Sequence, residues 1–389
     1  MKRMLESSGR AVTVGAVGAS LFLLPLENTW AQHISQALAV VAGLLAAVRY
    51  LGRGLGEERW LFFALVFASV VASLQLVTRG TASPYGTLIT IVVLLACAGI
   101  LLASAGFLTA AKPLAAALLL TLGVLIGIQH SLAPAAVAQV VHVPAVETWG
   151  PFVNRNNFAM FAELVVPLGF AMATISKRPY IWLLGSVILT GSVLAAGSRA
   201  GSVIILLEWL CYAILYISRQ RGSMLRGLAC MAGLGIAVPC LFDMSTLSDR
   251  LLAKDSASPR MSIAAGALQL VAQKPLQGYG LGSFEALYPL GAKTDLGARV
   301  DHAHNDWLEW SVEGGIWLPA VFIAAFFLSL RRASVWALVG VGSLLLHSLV
   351  DYPFHRPGLT LFCFAMVPIL LSTRPARENL GKERCRFAD

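Results

Sequence analysis

Charge is what this sequence most lacks. Only 13% of its 389 residues are Asp, Glu, Lys or Arg, against 57% hydrophobic, and its mean hydropathy is +0.75. A soluble domain carries roughly twice that charged share, so the two or three water-soluble domains usual for this length are excluded. Paired cysteines are also missing. The six, at 97, 211, 230, 240, 363 and 385, form no CxxC and no paired spacing, which excludes a disulfide framework and a cysteine zinc site. No internal repeat and no low-complexity segment occurs. The glycine-rich "GYGLGSF" follows no strand, so it is a turn and not a dinucleotide fingerprint. The first apolar stretch, Ala11 to Leu26, has charges before it but no small-x-small cleavage site, and is expected to remain as a helix.

What is present is a series of apolar runs of about 20 residues, the length that crosses a bilayer core. About twelve are read, at roughly 11–27, 34–51, 60–78, 86–110, 113–129, 157–176, 180–197, 202–218, 226–242, 307–330, 333–351 and 357–373. The expectation is an all-α, polytopic fold, with residues 1–389 forming a single integral membrane domain in the bilayer. The net charge of +9 does not point to nucleic acid, because the basic residues are scattered through short connecting segments. With the N-terminus cytoplasmic, inner segments hold 19 of the 29 Lys and Arg, as the positive-inside rule requires. Both termini are then cytoplasmic. All seven histidines fall at outer ends, so any chemistry faces outward.

One outer segment, about 243–306, is far longer than an ordinary connector, and such loops are usually functional. Within it "SASPRMSIAAGALQLVAQKP" is expected to form an amphipathic helix, with Ser258 as cap, Pro259 in the first position and Pro275 ending it.

The loop ends in "HAHNDWLEW", residues 302–310, the most polar stretch of the chain. His302, His304 and Asp306 have an H-x-H-x-D spacing compatible with a metal site. A helix starting near Asp306 would make successive side chains diverge, however, and no metal is expected. Asn305 or Asp306 can cap that helix, and Trp307 and Trp310 suit an interfacial belt. Capping leaves both histidines unexplained, and also an acidic face formed by Asp306, Glu309 and Glu313, which must meet protein or water. Arg199 sits where two apolar runs meet, and Arg260 lies in the first turn of the loop helix, where free N–H groups also favour an anion. Arginine is permanently charged and grips phosphate oxygens with a fork. Each arginine alone could equally be snorkelling or ion-paired. In "GPFVNRNNFAMFAELVVP" three asparagines open a span. They can cap it, or offer sugar hydroxyls paired donors and acceptors; Asn154, Arg155 and Asn157 are taken as substrate-binding candidates. Glu163 and Glu208 are the only acids deep within spans. In "HSLVDYPFHRPG", His347 and Asp351 are four apart and share a helical face, so that one can orient the other.

"GPFVNRNNFA", "GSRAG", "SPRMSIAAGALQLVAQKPLQGYGLGSF", "HAHNDWLEWSVEGG" and "HSLVDYPFHRP" occur in that order. Together they resemble the O-antigen ligase superfamily of bacterial envelope glycan transferases, over roughly residues 145–370. The resemblance implies an inner-membrane protein whose active site faces the periplasm. It implies transfer of a glycan from undecaprenyl diphosphate to lipid A–core or to a growing polysaccharide, with no cofactor and no metal. No D-x-D motif occurs, which agrees. It further implies that Arg199 and Arg260 hold the diphosphate and that His304 acts at the acceptor hydroxyl. His302, Asn305, His347 and Asp351 are expected around them. The competing expectation is a non-enzyme, a transporter or flippase for a lipid-linked glycan, which would depend on Glu163 and Glu208 rather than on His304.

Overall fold

The computed structural model describes residues 2–22, 29–51, 54–132, 136–137, 141–142, 148–152, 154–219, 245–252, 258–292, 297 and 299–373. The span expected at 226–242 lies outside them. The described chain is helical apart from a strand pair, Ala136–Val137 with Val141–His142. In chain order the helices are α1 Lys2–Phe22, α2 Thr29–Tyr50, α3 Arg59–Val77, α4 Pro84–Ala103, α5 Lys112–Leu132, α6 Arg155–Ile175, α7 Pro179–Ala195, α8 Arg199–Arg219, α9 Ser245–Leu252, α10 Ser258–Gln273, α11 Phe284–Gly291, α12 Asp306–Gly314, α13 Trp317–Leu330, α14 Val335–His347 and α15 Pro357–Leu371.

Among the described residues, four runs are long and apolar enough to cross a membrane: His33–Tyr50, Arg59–Val77, Pro84–His130 and Arg155–Ile175. α7, α13, α14 and α15 are apolar but shorter. Large apolar side chains point outward along these helices. Phe327 is 71% exposed, and Phe63, Leu114 and Leu118 are each more than half exposed, an arrangement that water would penalise and lipid tails accept. This is a multi-pass membrane protein. α6 and α15 form its centre: every residue from Phe158 to Ala173 and from Gly358 to Leu371 is buried, and a helix apolar all round belongs inside.

Two expected spans, 86–110 and 113–129, are joined without a loop. A π turn, Ser104–Leu108, and a 3₁₀ turn, Thr109–Ala111, connect α4 to α5. The joint is pinned to α15 by Ser104 Oγ donating to the Ala365 carbonyl at 2.5 Å and Lys112 Nζ donating to that of Ser372 at 2.5 Å.

The expected single span 307–330 is broken. α12 stops at Gly314 and α13 restarts at Trp317, with Gly315 at φ 86 and ψ 164. That backbone region is open essentially to glycine alone, and a Cβ there would lie 2.3 Å from the Leu276 carbonyl oxygen. The Ile316 amide bonds instead to the Pro275 carbonyl at 2.9 Å. The break lets α12 pack with the loop helices α10 and α11. Gly315→Ala is expected to cost about 1–3 kcal/mol in strain before any clash, read as a lower unfolding temperature in detergent.

The loop helix forms as Ser258–Gln273. Ile263, Gly266, Ala267 and Leu270 are buried along one side, the spacing of a helical stripe. Its opposite side is less polar than expected, because Met261 and Leu268 are exposed there. After it the glycine turn acts as a strap. The Gly280 amide donates to the Glu313 carbonyl at 2.9 Å, the Ala82 amide to that of Tyr279 at 2.8 Å, and the Leu281 amide to Gln75 Oε1 at 3.1 Å. The strap ties α3, the start of α4 and the end of α12 together.

Candidate functional site

The start of α6, the α7–α8 junction and the end of α14 meet at one end of the bundle. Asn154 caps α6, accepting from the Asn156 amide at 2.8 Å. The Asn156 side chain bridges the other two elements: its Nδ2 donates to Asp351 Oδ2, and its Oδ1 accepts from Ser198 Oγ at 2.9 Å. Asp351 is 3% exposed. Its amide donates to the His347 carbonyl at 3.0 Å, and its Oδ1 accepts from the Tyr352 amide at 3.0 Å. Burial alone would raise this carboxyl. His304, His347, Asn156 and the Tyr352 amide outweigh that and hold it below the ordinary carboxylate range. Asp351 is therefore anionic. It stabilises the fold above its unfolded pKa and loses that contribution as pH falls through the lower folded value.

His304 faces this carboxylate, Nδ1 to Oδ1 at 3.9 Å. That is too long for a hydrogen bond, and among the described residues the buried Nδ1 has no hydrogen-bond partner. Catalytic contacts are often loose before substrate binds. The backbone of His304 has φ 50, a left-handed conformation costing an L-residue about 1–2 kcal/mol. Its neighbours enforce it: the Ala303 amide donates to Glu309 Oε2 at 2.7 Å, and Asn305 Oδ1 caps α12 through the Leu308 amide at 3.0 Å. Strain held in place on both sides marks a side chain whose direction matters.

One arginine reaches the same turn and a second lies near it in the chain. Arg260, exposed in the first turn of α10, donates to the Val350 carbonyl at 3.1 Å, one residue before Asp351. Arg199 opens α8, directly after the Ser198 that Asn156 holds. Arg155 and Asn157 are half-buried in the first turn of α6 and do not join the Asp351 network among the described residues. The asparagine that does is Asn156, one of the three that open the span but not one singled out by the sequence. Asn156→Ala should lower activity about tenfold or more, since it leaves a buried carboxylate and a hydroxyl short of partners. The check is an activity assay paired with an acid titration of stability, in which the low-pH loss should begin at higher pH.

His347 does not line this surface. It is fully buried, and its Nδ1 meets Glu163 Oε1 at 2.7 Å inside the bundle. The helix ends at His347, and Asp351 follows in the next turn, still buried, with its amide bonded to the His347 carbonyl. Trp310 is buried against Phe322 and Phe354, a core residue where an interfacial one was expected.

Tyr352 divides this site from a second cluster. His304 meets its ring edge-on at 4.9 Å, His302 stacks on it at 4.4 Å, and Arg356 donates to its hydroxyl at 2.6 Å. Behind it stand Asp306, Glu309 and Glu313, all buried. His302 Nδ1 meets Glu309 Oε1 at 2.9 Å, His355 Nδ1 meets Asp306 Oδ1 at 2.5 Å, and Glu313 Oε1 accepts from the Phe284 amide at 3.0 Å. His302 and Asp306 join one cluster through Glu309 and His355 rather than directly, and His304 stands apart from it. Burial opposes charge on His355, yet Glu309, Asp306 and Glu313 raise its pKa well above the usual histidine value. Ligand atoms of Glu309, Glu313 and His355 lie within 4.8 Å of one another, a spacing that a cation could bridge. Each carboxylate already accepts a backbone N–H, however, and His355 stands beside both as counter-charge, at 3.4 and 3.7 Å. His355 thus offsets part, not all, of the carboxylate charge.

Residues 184–323 match the family model described as O-antigen ligase, the superfamily that the motifs resemble. The matched stretch begins within α7 and ends within α13. It contains Arg199, Arg260, His302, His304, Glu309 and Glu313; Asn156, His347, Asp351 and His355 lie outside it. No curated protein matches the chain. Over that stretch the chain is similar to the O-antigen ligase family, and its apolar helices are those of a multi-pass membrane protein.

Proposed function

We propose that this protein transfers a glycan from undecaprenyl diphosphate to an acceptor hydroxyl, on lipid A–core or on a growing polysaccharide, at the periplasmic face of the inner membrane. The reading rests on one observation: His304, Asp351 and Arg260 meet at one turn, with Arg199 beside the Ser198 that is tied to it. About twelve spans, with both termini cytoplasmic, accompany this reading. The basic inner segments support it, as does the gathering of the site at one end of the helices.

The chemistry follows from these groups. The acceptor oxygen attacks the anomeric carbon, and the bond from that carbon to the diphosphate oxygen breaks. The acceptor proton passes to the imidazole of His304, and Asp351 stabilises the imidazolium. The electron pair leaves with the diphosphate, where Arg199 and Arg260 meet the developing charge. Permanent guanidinium charge supplies what a divalent metal supplies elsewhere, so the reaction is read as metal-independent.

The test is purified protein with a labelled undecaprenyl diphosphate-linked repeat unit, alone and with lipid A–core. A ladder from donor alone means a polymerase. One transfer that requires lipid A–core means a ligase. No product with any donor and acceptor overturns the transferase reading. A flippase is the second reading, favoured by the buried Glu163–His347 pair and by Glu208, an acid buried within the bundle. A flippase would move labelled lipid across proteoliposomes without forming a glycosidic bond.

A further inference from the structure

Charge is divided across Tyr352. The arginines and the His304–Asp351 pair occupy one side. On the other opens a cavity of about 370 Å³, whose polar end is lined by Asp301, His302, Glu309, Glu313 and His355. The transfer chemistry above uses none of these five. The volume lies low in the range of small-molecule pockets, about 300–1,000 Å³; it admits a sugar ring or two and no polymer.

The lining selects by chemistry. Carboxylates offer only acceptor lone pairs, so they suit a ligand rich in hydroxyl or amine donors. A phosphate or a uronic acid brings acceptors and negative charge to a wall that already holds Asp301, Glu309 and Glu313. The donor's first sugar is bonded directly to the diphosphate and must go where the arginines are. An acceptor sugar has no such tether. His302 lines the cavity and stacks on Tyr352, and His304 touches the edge of the same ring. A hydroxyl held beside His302 is thus separated from His304 by one tyrosine ring.

We infer that this cavity binds the acceptor sugar, an uncharged or amine-bearing pyranose, and excludes acidic sugars. That the sugar is the acceptor rests on the transferase reading; the preference against anions rests on the cavity alone.

Ligand-observed NMR on the full chain in nanodiscs tests it, with methyl glucoside, methyl glucosaminide and methyl glucuronide as probes. The first two should bind, and the glucuronide at least tenfold more weakly. Glu313→Gln should narrow that gap several-fold. So should Asp301→Asn, which alters only an exposed residue at the mouth and leaves folding intact. In the transfer assay Asp301→Asn should change KM for the acceptor and not for the donor. No binding by any probe, or equal binding of the glucuronide, overturns the cavity assignment even if transfer proceeds. A change in donor KM alone overturns the word acceptor. Charge-selective sugar binding by a protein that never forms product would leave the cavity standing and remove the transferase reading.

Discussion

Alanine at position 304 is expected to reduce transfer by about 10²–10⁴-fold, the contribution of a positioned acid–base group, with little change in donor affinity. The loss should appear in kcat. The donor is read as held by Arg199 and Arg260, on elements that His304 does not support. His304 itself is strained, at φ 50, so removing its side chain does not relax the backbone, which is set by the Ala303 and Asn305 bonds. His304→Gly, which relieves the conformation but also lacks the imidazole, should be as inactive as His304→Ala while being slightly more stable. Full activity in either variant rejects His304 as the base. Stability of the glycine variant below that of the alanine variant would show that the strain is not present.

The largest effect on folding is expected inside the bundle. Glu163 and His347 are each 0% exposed and bonded at 2.7 Å. His347→Leu removes one partner and leaves Glu163 without its counter-group. Breaking a buried pair in this way costs about 3–5 kcal/mol. The double variant Glu163→Leu/His347→Leu removes both polar groups, and such replacements run from neutral to about 1–4 kcal/mol stabilising. Thermal unfolding in one detergent should therefore rank the single variant well below the wild type and the double variant near it. Two curves that both fall below the wild type by the same amount would mean that packing, not the pair, carries the stability. The flippase reading adds a functional arm. Lipid movement abolished in the double variant, with glycosidic transfer absent throughout, would move the role of the pair from stability to transport.

The membrane class was open to reading because it depends on averages. Scarce charge and runs of about 20 apolar residues need no knowledge of contacts, and α2, α3, α6 and the α4–α5 run follow from them. The loop helix was readable from Ser258, Pro259 and Pro275 because those residues act locally on backbone geometry. Asn305 as a cap was readable for the same reason. Where local signals stop, so did the reading. Nothing in "WSVEGGIW" distinguishes a continuous helix from one broken at Gly315, since the break depends on Leu276 and Pro275 arriving from about forty residues earlier.

The site divides in the same way. The sequence by itself determined the kinds of group available: guanidinium at 199 and 260, imidazole at 302 and 304, an acidic face at 306, 309 and 313, and their concentration near the ends of spans. Residue type fixes protonation chemistry and donor count, and spacing fixes the helical face, so these survive without a fold. Only the tertiary structure decided the pairings. It chose Asn156 over Asn154, Arg155 and Asn157, because capping consumes Asn154 and only Asn156 reaches both Ser198 and Asp351. It sent His347 inward to Glu163, 184 positions away. It put His302 and His304, two residues apart, into different environments on one tyrosine ring. Such choices depend on which elements pack side by side. That follows from the burial of α6 and α15 at the centre of the bundle, a property of the whole chain that no short stretch carries.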